Sequence, residues 1–259
     1  MTQGWTEQHA SRDPSTVAAA HEPEAIRARL AEGPVHSYLK DFVYGAIDGA
    51  VTTFAVVSGV AGAELGTNIV VILGVANLVG DGFSMAASNY LGTRAERQLT
   101  AKVRRMEEEH IDQFPDGERE EIRQILESQG FTGELLERAV NLITKDRERW
   151  VEMMLREEHG LSLTVPSAWR AATTTFVAFL VIGLLPLIPF LLQLVPSVNI
   201  PAPYVLSTFM TGLAFFAVGA GKSRFVEQSW YWSGFETLAV GGGAAGLAFV
   251  CGAILKSVA

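Results

Sequence analysis

Cysteine is almost absent from this 259-residue sequence, and charged residues are scarce. The single cysteine, Cys251, excludes a disulfide framework and a zinc cluster built on thiolates. Charged residues make up 19% of the chain, against about 25% in typical soluble domains, whereas 49% of its residues are hydrophobic. The formal net charge of -8 argues against nucleic acid as a partner. The composition therefore indicates a membrane protein.

Five apolar stretches are each long enough to cross a bilayer as a helix, which takes about 20 residues. Two of them are interrupted by one acidic residue each, Asp48 and Asp81. The sequence thus predicts an all-α polytopic membrane protein with five transmembrane helices. The predicted spans are 42–63, 69–91, 171–195, 204–221 and 235–255.

More than half of the 28 acidic residues lie between residues 92 and 165, in a polar segment that separates the second span from the third. We predict a small insert of three helices there. The first continues the second span to Ile111, the second covers 118–128, and the third follows Thr132 and breaks near 144–146. The predicted organisation is a mobile polar tail (1–35) with one surface helix near Ile26 and Leu30, spans one and two (36–91), the insert (92–165) and spans three to five (166–259).

The distribution of lysine and arginine predicts the orientation in the membrane. Lys40 precedes the first span, a basic cluster begins at Arg94 after the second, and Lys222 and Arg224 follow the fourth. The loops at the opposite ends of the spans are nearly free of basic residues. We expect the amino terminus and the insert in the cytoplasm and the carboxyl terminus on the far side. A bacterial plasma membrane is the simplest location.

The carboxylates inside the spans are candidate pore residues. An acidic side chain at mid-membrane costs roughly 2.5–3.5 kcal/mol, so it needs a partner, water or a proton. Helical spacing of four places Asp81, Met85 and Asn89 on one face of the second span. Asp48 raises the same question in the first span. Packing by buried hydrogen-bonded carboxylates is the alternative, but two on adjacent spans favour an ion path.

Gly45 and Gly49 form a GxxxG motif around Asp48. Such motifs allow close helix contact, often between two copies of one helix. If the first span pairs with itself, two Asp48 carboxylates approach each other, and their repulsion favours binding of a proton or a cation. A homodimer contact at these glycines is therefore predicted.

The insert carries a second set of candidate metal ligands. Carboxylates, one imidazole and two thioethers at helical spacings could converge on one centre, and this mixture suits Fe²⁺ better than Ca²⁺ or Mg²⁺. A solvated face of Glu and Arg, with buried methionines, is the alternative. A ferritin-type di-iron centre needs two Glu-x-x-His motifs, and the sequence has one. The candidates are Glu107, His110, Glu118, Glu121, Met153, Met154 and Glu157.

Several of these segments together resemble the vacuolar iron transporter family. They are DGAVTTF at 48–54 with VSGVAGA at 57–63, SMAA at 84–87 and PLIP at 186–189. The insert is similar too, with Met153 and Met154 before the Gly160 turn. The resemblance covers about residues 38–257. Two departures are His110, where glutamate is expected, and Asn89, where many members carry glutamate.

The resemblance implies a non-enzymatic homodimeric exporter of cytosolic Fe²⁺, and often Mn²⁺, in exchange for protons. Asp48 and Met85 would be pore ligands at the dimer interface, and the insert residues would capture metal. The metal, which could also be Co²⁺ or Zn²⁺, is a substrate, and no permanently bound cofactor is expected. A membrane metal sensor without transport and a membrane-anchored ferroxidase remain alternatives.

Overall fold

The computed structural model of the protein describes residues 14–32, 37–223 and 228–257. Contacts divide the chain into two units, residues 1–37 and 38–259. The described part of the first unit forms two short helices, Pro14–Ala20 and Pro23–Glu32, and the second contains Ile26 and Leu30 as predicted. Residues 1–13 and 33–35 of the predicted mobile tail, and Arg224, lie outside the described residues.

The second unit is built on five helices that are long and apolar enough to cross a membrane, which confirms the predicted all-α class. The described residues contain no strand. Each span begins and ends within a few residues of its prediction, except that the second runs on into the insert. The spans are Leu39–Gly62, Thr67–Gln113, Ala168–Leu192, Pro203–Lys222 and Trp230–Leu255.

The second span and the stalk of the insert form one helix of 47 residues, Thr67–Gln113. No proline interrupts it, so the helix leaves the apolar region without a break, as predicted. The third span is less regular because Pro186 and Pro189 interrupt its hydrogen-bond ladder. It runs as Ala168–Gly183, a 3₁₀ turn at Leu185–Leu187, and a short helix at Ile188–Leu192.

Close contacts between backbones hold the first span against the third. A Cβ atom built on Gly45 would lie 2.3 Å from the Thr175 carbonyl oxygen, and one on Gly49 would lie 2.5 Å from that of Phe179. The GxxxG face is therefore covered by the third span of the same chain. The motif serves packing within one chain, so this geometry gives no support for the predicted dimer contact at Gly45 and Gly49.

The first span lies at the centre of the membrane unit. Besides the third span, it contacts the fifth, where a Cβ atom on Gly62 would lie 2.1 Å from the Phe249 carbonyl oxygen. A cluster of buried apolar residues fills the space between the spans, including Val57, Phe179 and Phe215. Aromatic residues at the span ends, such as Trp169 and Trp230, are largely exposed, as expected for interfacial anchors.

The insert adds three helical segments to the stalk. Pro115–Ser128 begins with its proline, which is favoured at the first helical position because no N–H partner is needed there. Gly133–Thr144 follows a turn in which Gly130 adopts a φ of +95°. Arg147–Met153 continues into a π-helical turn, Met154–Glu158. The third predicted helix therefore breaks where expected, at 145–146. These segments share a separate apolar core that includes Ile122, Val140 and Trp150.

Candidate functional site

The stalk and the helix after it bring three predicted ligands together. A ligand atom from each of Glu107, His110 and Glu118 lies within 4.8 Å of the other two. Glu107 and His110 are three residues apart on the stalk and face the same way. His110 Nδ1 lies 3.3 Å from Glu118 Oε1. Both glutamates are almost completely buried, with 2% and 4% of their surface exposed.

A second triad shares Glu107 and uses two residues that sequence reasoning did not select. Glu158 and His159 come from the end of the π-helical turn, and their ligand atoms also lie within 4.8 Å of one in Glu107. His159 Nε2 donates to Glu107 Oε1 over 2.8 Å and lies 3.5 Å from Glu158 Oε2. We call Glu107, His110, Glu118, Glu158 and His159 the insert cluster.

The π-helical turn explains why the sequence pointed to Glu157. A π turn adds one residue to a helical turn, so residues after it change face relative to an α-helix. Glu157 is exposed and bonds Arg156 and the Gln129 amide, at 3.0 and 3.2 Å. Glu158 takes the place beside Glu107. This geometry gives Glu157 no support as a ligand and favours Glu158, one residue later.

The other predicted insert ligands have different surroundings. Met153 and Met154 are buried in the apolar core of the insert, where the alternative interpretation put them. Glu121 is exposed, but its charge acts on both Glu118 and Glu158, so it lies at the edge of the insert cluster. The structure therefore supports a centre of carboxylates and imidazoles and gives no support for thioether ligands.

Pairing with arginine separates the insert cluster from the other acids of the insert. Glu137 accepts from Arg123 at 3.0 Å, and Asp112 accepts from Arg147 at 2.8 Å. Within the described residues, no lysine or arginine forms an ion pair with the carboxylates of the insert cluster. Glu107 Oε2 and Glu118 Oε2 are buried without a hydrogen-bond partner. Buried carboxylate oxygens rarely stay unpaired, so these two fit a cation as their partner.

Burial and neighbouring charge also change how the insert cluster holds protons. Burial raises the pKa of Glu118 to about 7, with a further contribution from the negative charges of Glu121 and Glu107. Burial likewise raises the pKa of Glu158. A divalent cation bound here would therefore compete with protons for the same oxygens near neutral pH. Oxygen and nitrogen donors together suit Fe²⁺, Mn²⁺ or Zn²⁺ more than Ca²⁺ or Mg²⁺.

The first two spans form a polar face within the membrane unit. Asp48 is half-buried, Asp81 is exposed, and their carboxylates are close enough to interact electrostatically. Met85 is half-buried on the same side of the second span as Asp81. The exposed Ser84 and Ser88 extend this side toward the insert. We call Asp48, Asp81, Ser84, Met85 and Ser88 the membrane polar face.

Two polar residues that the sequence analysis did not select connect the two spans beside this face. The Asn77 amide donates to Thr52 Oγ1 over 3.3 Å, and the Thr52 hydroxyl donates to the Asp48 carbonyl oxygen over 2.9 Å. Asn77 lies one helical turn before Asp81, so extending the spacing of four backwards would have found it. These bonds fix the first span against the second at the level of the two carboxylates.

The structure gives Asn89 a role that the sequence did not predict. Its amide nitrogen donates to Asp41 Oδ1 and to Thr175 Oγ1, both over 2.8 Å. Its oxygen accepts from the Thr93 hydroxyl over 3.3 Å. Asn89 therefore links the first, second and third spans, and both ends of its amide are engaged. Its assignment to the ion path gains no support from this geometry.

Comparison with known proteins agrees with this architecture. The model of the VIT family matches residues 39–253. Vacuolar iron transporter 1 of Arabidopsis thaliana is 29% identical over 219 residues, which cover 84% of this chain and 86% of that protein. The vacuolar iron transporter of Toxoplasma gondii is 29% identical over 261 residues, or 95% of this chain and 86% of that protein. The vacuolar iron transporter of Centaurea cyanus is 28% identical over 212 residues, which cover 82% of this chain and 85% of that protein.

Proposed function

This chain belongs to the VIT family, and we propose that it exports Fe²⁺, and also Mn²⁺, from the cytoplasm in exchange for protons. The observation that carries the proposal is the pair of buried glutamate oxygens without partners in the insert cluster. The relatives named vacuolar iron transporters, which match over most of their length, support iron as the substrate.

The insert cluster performs the first step, which is capture. Its carboxylates attract a hydrated divalent ion, and His110 and His159 complete a coordination shell of oxygen and nitrogen. Because Glu118 is partly protonated near pH 7, binding displaces a proton from it. Capture at a site with competing protons is reversible, so the ion can pass on to the membrane.

The membrane polar face performs the second step, which is permeation between two copies of the chain. An exposed aspartate flanked by serines is costly against lipid. A second copy laid against this face would cover Asp81, Ser84 and Ser88 and place two pairs of carboxylates along one path. Asp48 and Met85 then replace part of the hydration shell of the ion. The pore therefore lies at a homodimer interface, but not at the glycines that the sequence suggested.

Proton exchange follows from the closeness of the two membrane carboxylates. Two negative charges side by side repel each other, so a cation or a proton between them is favoured. When the metal leaves on the far side, a proton takes its place, and the proton gradient drives the cycle. The amino terminus and the insert lie in the cytoplasm, and the carboxyl terminus lies on the far side. A bacterial plasma membrane is the simplest setting, although the named relatives are eukaryotic.

Transport in proteoliposomes tests this function directly. Wild-type protein should move Fe²⁺ and Mn²⁺ under an opposing proton gradient and stop when the gradient is collapsed. Asp48→Asn should reduce the flux at least about ten-fold, because this carboxylate contacts the ion. Glu236→Gln, in the fifth span and paired with Lys222, is the matched control and should transport normally. Unchanged flux in Asp48→Asn would refute the pore assignment.

Disulfide trapping tests the dimer interface. In a Cys251→Ser background, Ser88→Cys should form a covalent dimer on mild oxidation, because the exposed Ser88 lies on the proposed contact face. Thr173→Cys, which is exposed on the third span, should remain monomeric. Equal trapping at both positions would exclude this face as the interface.

The two alternatives predict different results in the same assays. A metal sensor would bind ions at the insert cluster without any flux. A ferroxidase would consume oxygen as Fe²⁺ is oxidised. Oxygen consumption should therefore be measured, because the insert cluster combines carboxylates with imidazoles. A panel of Fe²⁺, Mn²⁺, Co²⁺ and Zn²⁺ under separate proton and sodium gradients identifies the substrate and the coupling ion.

A further inference from the structure

A groove on the outer side of the second and third spans lies apart from both sites described above. Its cavity of about 470 Å³ is lined by apolar and aromatic side chains, among them Phe83, Leu91 and Phe176. A second cavity, of about 300 Å³, is lined by Arg94, Arg97 and Gln98 with the start of the third span. The two therefore differ sharply in polarity.

The two cavities adjoin at a pair of aromatic rings. Tyr90 and Trp169 line both of them. Their rings meet edge to face with centroids 6.4 Å apart. An aromatic pair between an apolar groove and a basic pocket is typical of the boundary between acyl chains and headgroups. The combined site is therefore amphipathic, with its basic end toward the stalk.

The groove faces away from the proposed dimer interface. At about 100° per residue, Phe83, Tyr90 and Arg94 project to one side of the second span, roughly opposite Asp81. A second copy that covers the membrane polar face would therefore leave the groove open to lipid. The proposed dimer and an occupant of the groove do not compete.

The basic end carries positive charge that the chain itself does not neutralise. Within the described residues, Arg94 makes no ion pair or hydrogen bond, and Arg97 donates only to the Pro166 carbonyl oxygen, over 3.2 Å. Among the residues that the structure describes, no acidic side chain lines either cavity. The third span also begins here at Ala168, and the free N–H groups of its first turn add positive potential.

We propose that this site binds one anionic phospholipid. The headgroup phosphate lies between Arg94 and Arg97, and one acyl chain follows the groove past Phe83 and Phe176. A soluble phosphate would satisfy the arginines but leave the apolar groove without an occupant, so a lipid fits both ends. The proposal requires insertion into a bilayer and does not depend on which ion is transported.

Native mass spectrometry of the full-length protein in detergent tests the headgroup. The probes are phosphatidylglycerol and phosphatidylcholine with identical acyl chains. Wild-type protein should retain phosphatidylglycerol preferentially. At about 1 kcal/mol per basic residue, Arg94→Gln combined with Arg97→Gln should weaken this retention about 30-fold. Arg170→Gln, in the first turn of the third span but lining neither cavity, should leave it unchanged. Equal retention of both lipids by the wild type, or by the double variant and the control, would overturn the proposal.

A variant of the groove separates a lipid from a free anion. Ala87→Trp keeps both arginines and fills the apolar cavity, so it should weaken retention of phosphatidylglycerol. Glycerol phosphate, which has no acyl chain, should still compete for the two arginines as well as it does in the wild type. If Ala87→Trp retains the lipid as well as the wild type does, the groove does not hold an acyl chain and the proposal fails. Because Arg94 makes no ion pair or hydrogen bond with the other described residues, Arg94→Gln alone keeps the test valid if the double variant does not fold.

Discussion

The insert and the membrane region both contain clustered carboxylates, but the two clusters are built in opposite ways. In the insert, Glu107 and Glu118 are buried and face histidines of the same chain. In the membrane region, Asp81 is exposed beside a half-buried Asp48. The first cluster is complete within one chain, whereas the second is open on one side. In the proposed function, capture would therefore need one copy of the chain, whereas permeation would need two.

Separate mutation of the two clusters gives the largest expected effect. Glu107→Gln with Glu118→Gln should weaken metal binding by the full-length protein by about 100-fold, because both buried oxygens lose their charge. Flux at saturating metal should change little. Asp48→Asn with Asp81→Asn should instead reduce the flux at saturating metal and leave metal binding nearly unchanged. Isothermal titration and vesicle uptake measure the two quantities. Parallel losses in both variants would contradict the division between the clusters.

The glycines of the first span test whether the membrane region packs as described. Gly45→Val should destabilise the protein by several kcal/mol, because its side chain would overlap the Thr175 backbone. Gly80→Val is the matched control, since a Cβ atom on Gly80 meets nothing within 4 Å. Thermal unfolding in detergent, followed by size-exclusion chromatography, compares the two. If only dimerisation is lost in Gly45→Val, the glycines belong to a contact between copies.

A lower pH should weaken metal binding by the insert cluster. Since the pKa of Glu118 is about 7, metal affinity should fall by up to about ten-fold per pH unit below that value. In Glu118→Gln the slope should decrease by one proton. Without metal, pH acts on the stability of the fold in the opposite direction. Because the folded state raises the pKa of Glu118 from 4.5 to about 7, the free energy of unfolding falls as the pH rises through this range. Glu118→Gln should therefore raise the melting temperature at pH 8 and leave it unchanged at pH 4.

Two neighbouring glutamates provide the smallest and most specific comparison. Glu158→Gln should weaken metal binding by about five- to ten-fold, because Glu158 lies beside Glu107 and His159. Glu157→Gln should have no measurable effect, because Glu157 pairs with Arg156 at the surface. Titration of both variants under identical conditions decides the register. Equal effects would show that the π-helical turn does not persist in the metal-bound state.

The sequence was informative about the fold because its signals are long. The apolar runs are about 20 residues long, and no proline occurs from Thr67 to Gln113. One exceptional residue within such a long segment does not change the prediction. The break predicted near 144–146 lies at 145–146, where Asp146 starts the next helix and its side chain accepts from the Glu148 and Arg149 amides.

The candidate sites could be predicted only where α-helical spacing holds. The pair Glu107 and His110 was found by that rule, and so was Asp81 with Met85. Glu158 and His159 were missed because a π turn shifts the register, which no residue pattern announces. The GxxxG motif identified a close helix contact, but a motif does not reveal which helix is the neighbour. Asn89 was selected by its spacing from Asp81 and Met85, and its bonds to Asp41 and Thr175 could not be foreseen because these partners are distant in sequence.

The unbroken helix of 47 residues has a mechanical consequence. At about 1.5 Å per residue this helix is roughly 70 Å long. Asp81 and Glu107 lie on it roughly 40 Å apart along its axis. A rod without a joint turns as one piece. If the insert tilts when it binds an ion, as the proposed function implies, the helix would transmit that tilt directly to the level of the bilayer carboxylates. In the proposed cycle, metal loading at the insert cluster would then change the opening between the membrane carboxylates.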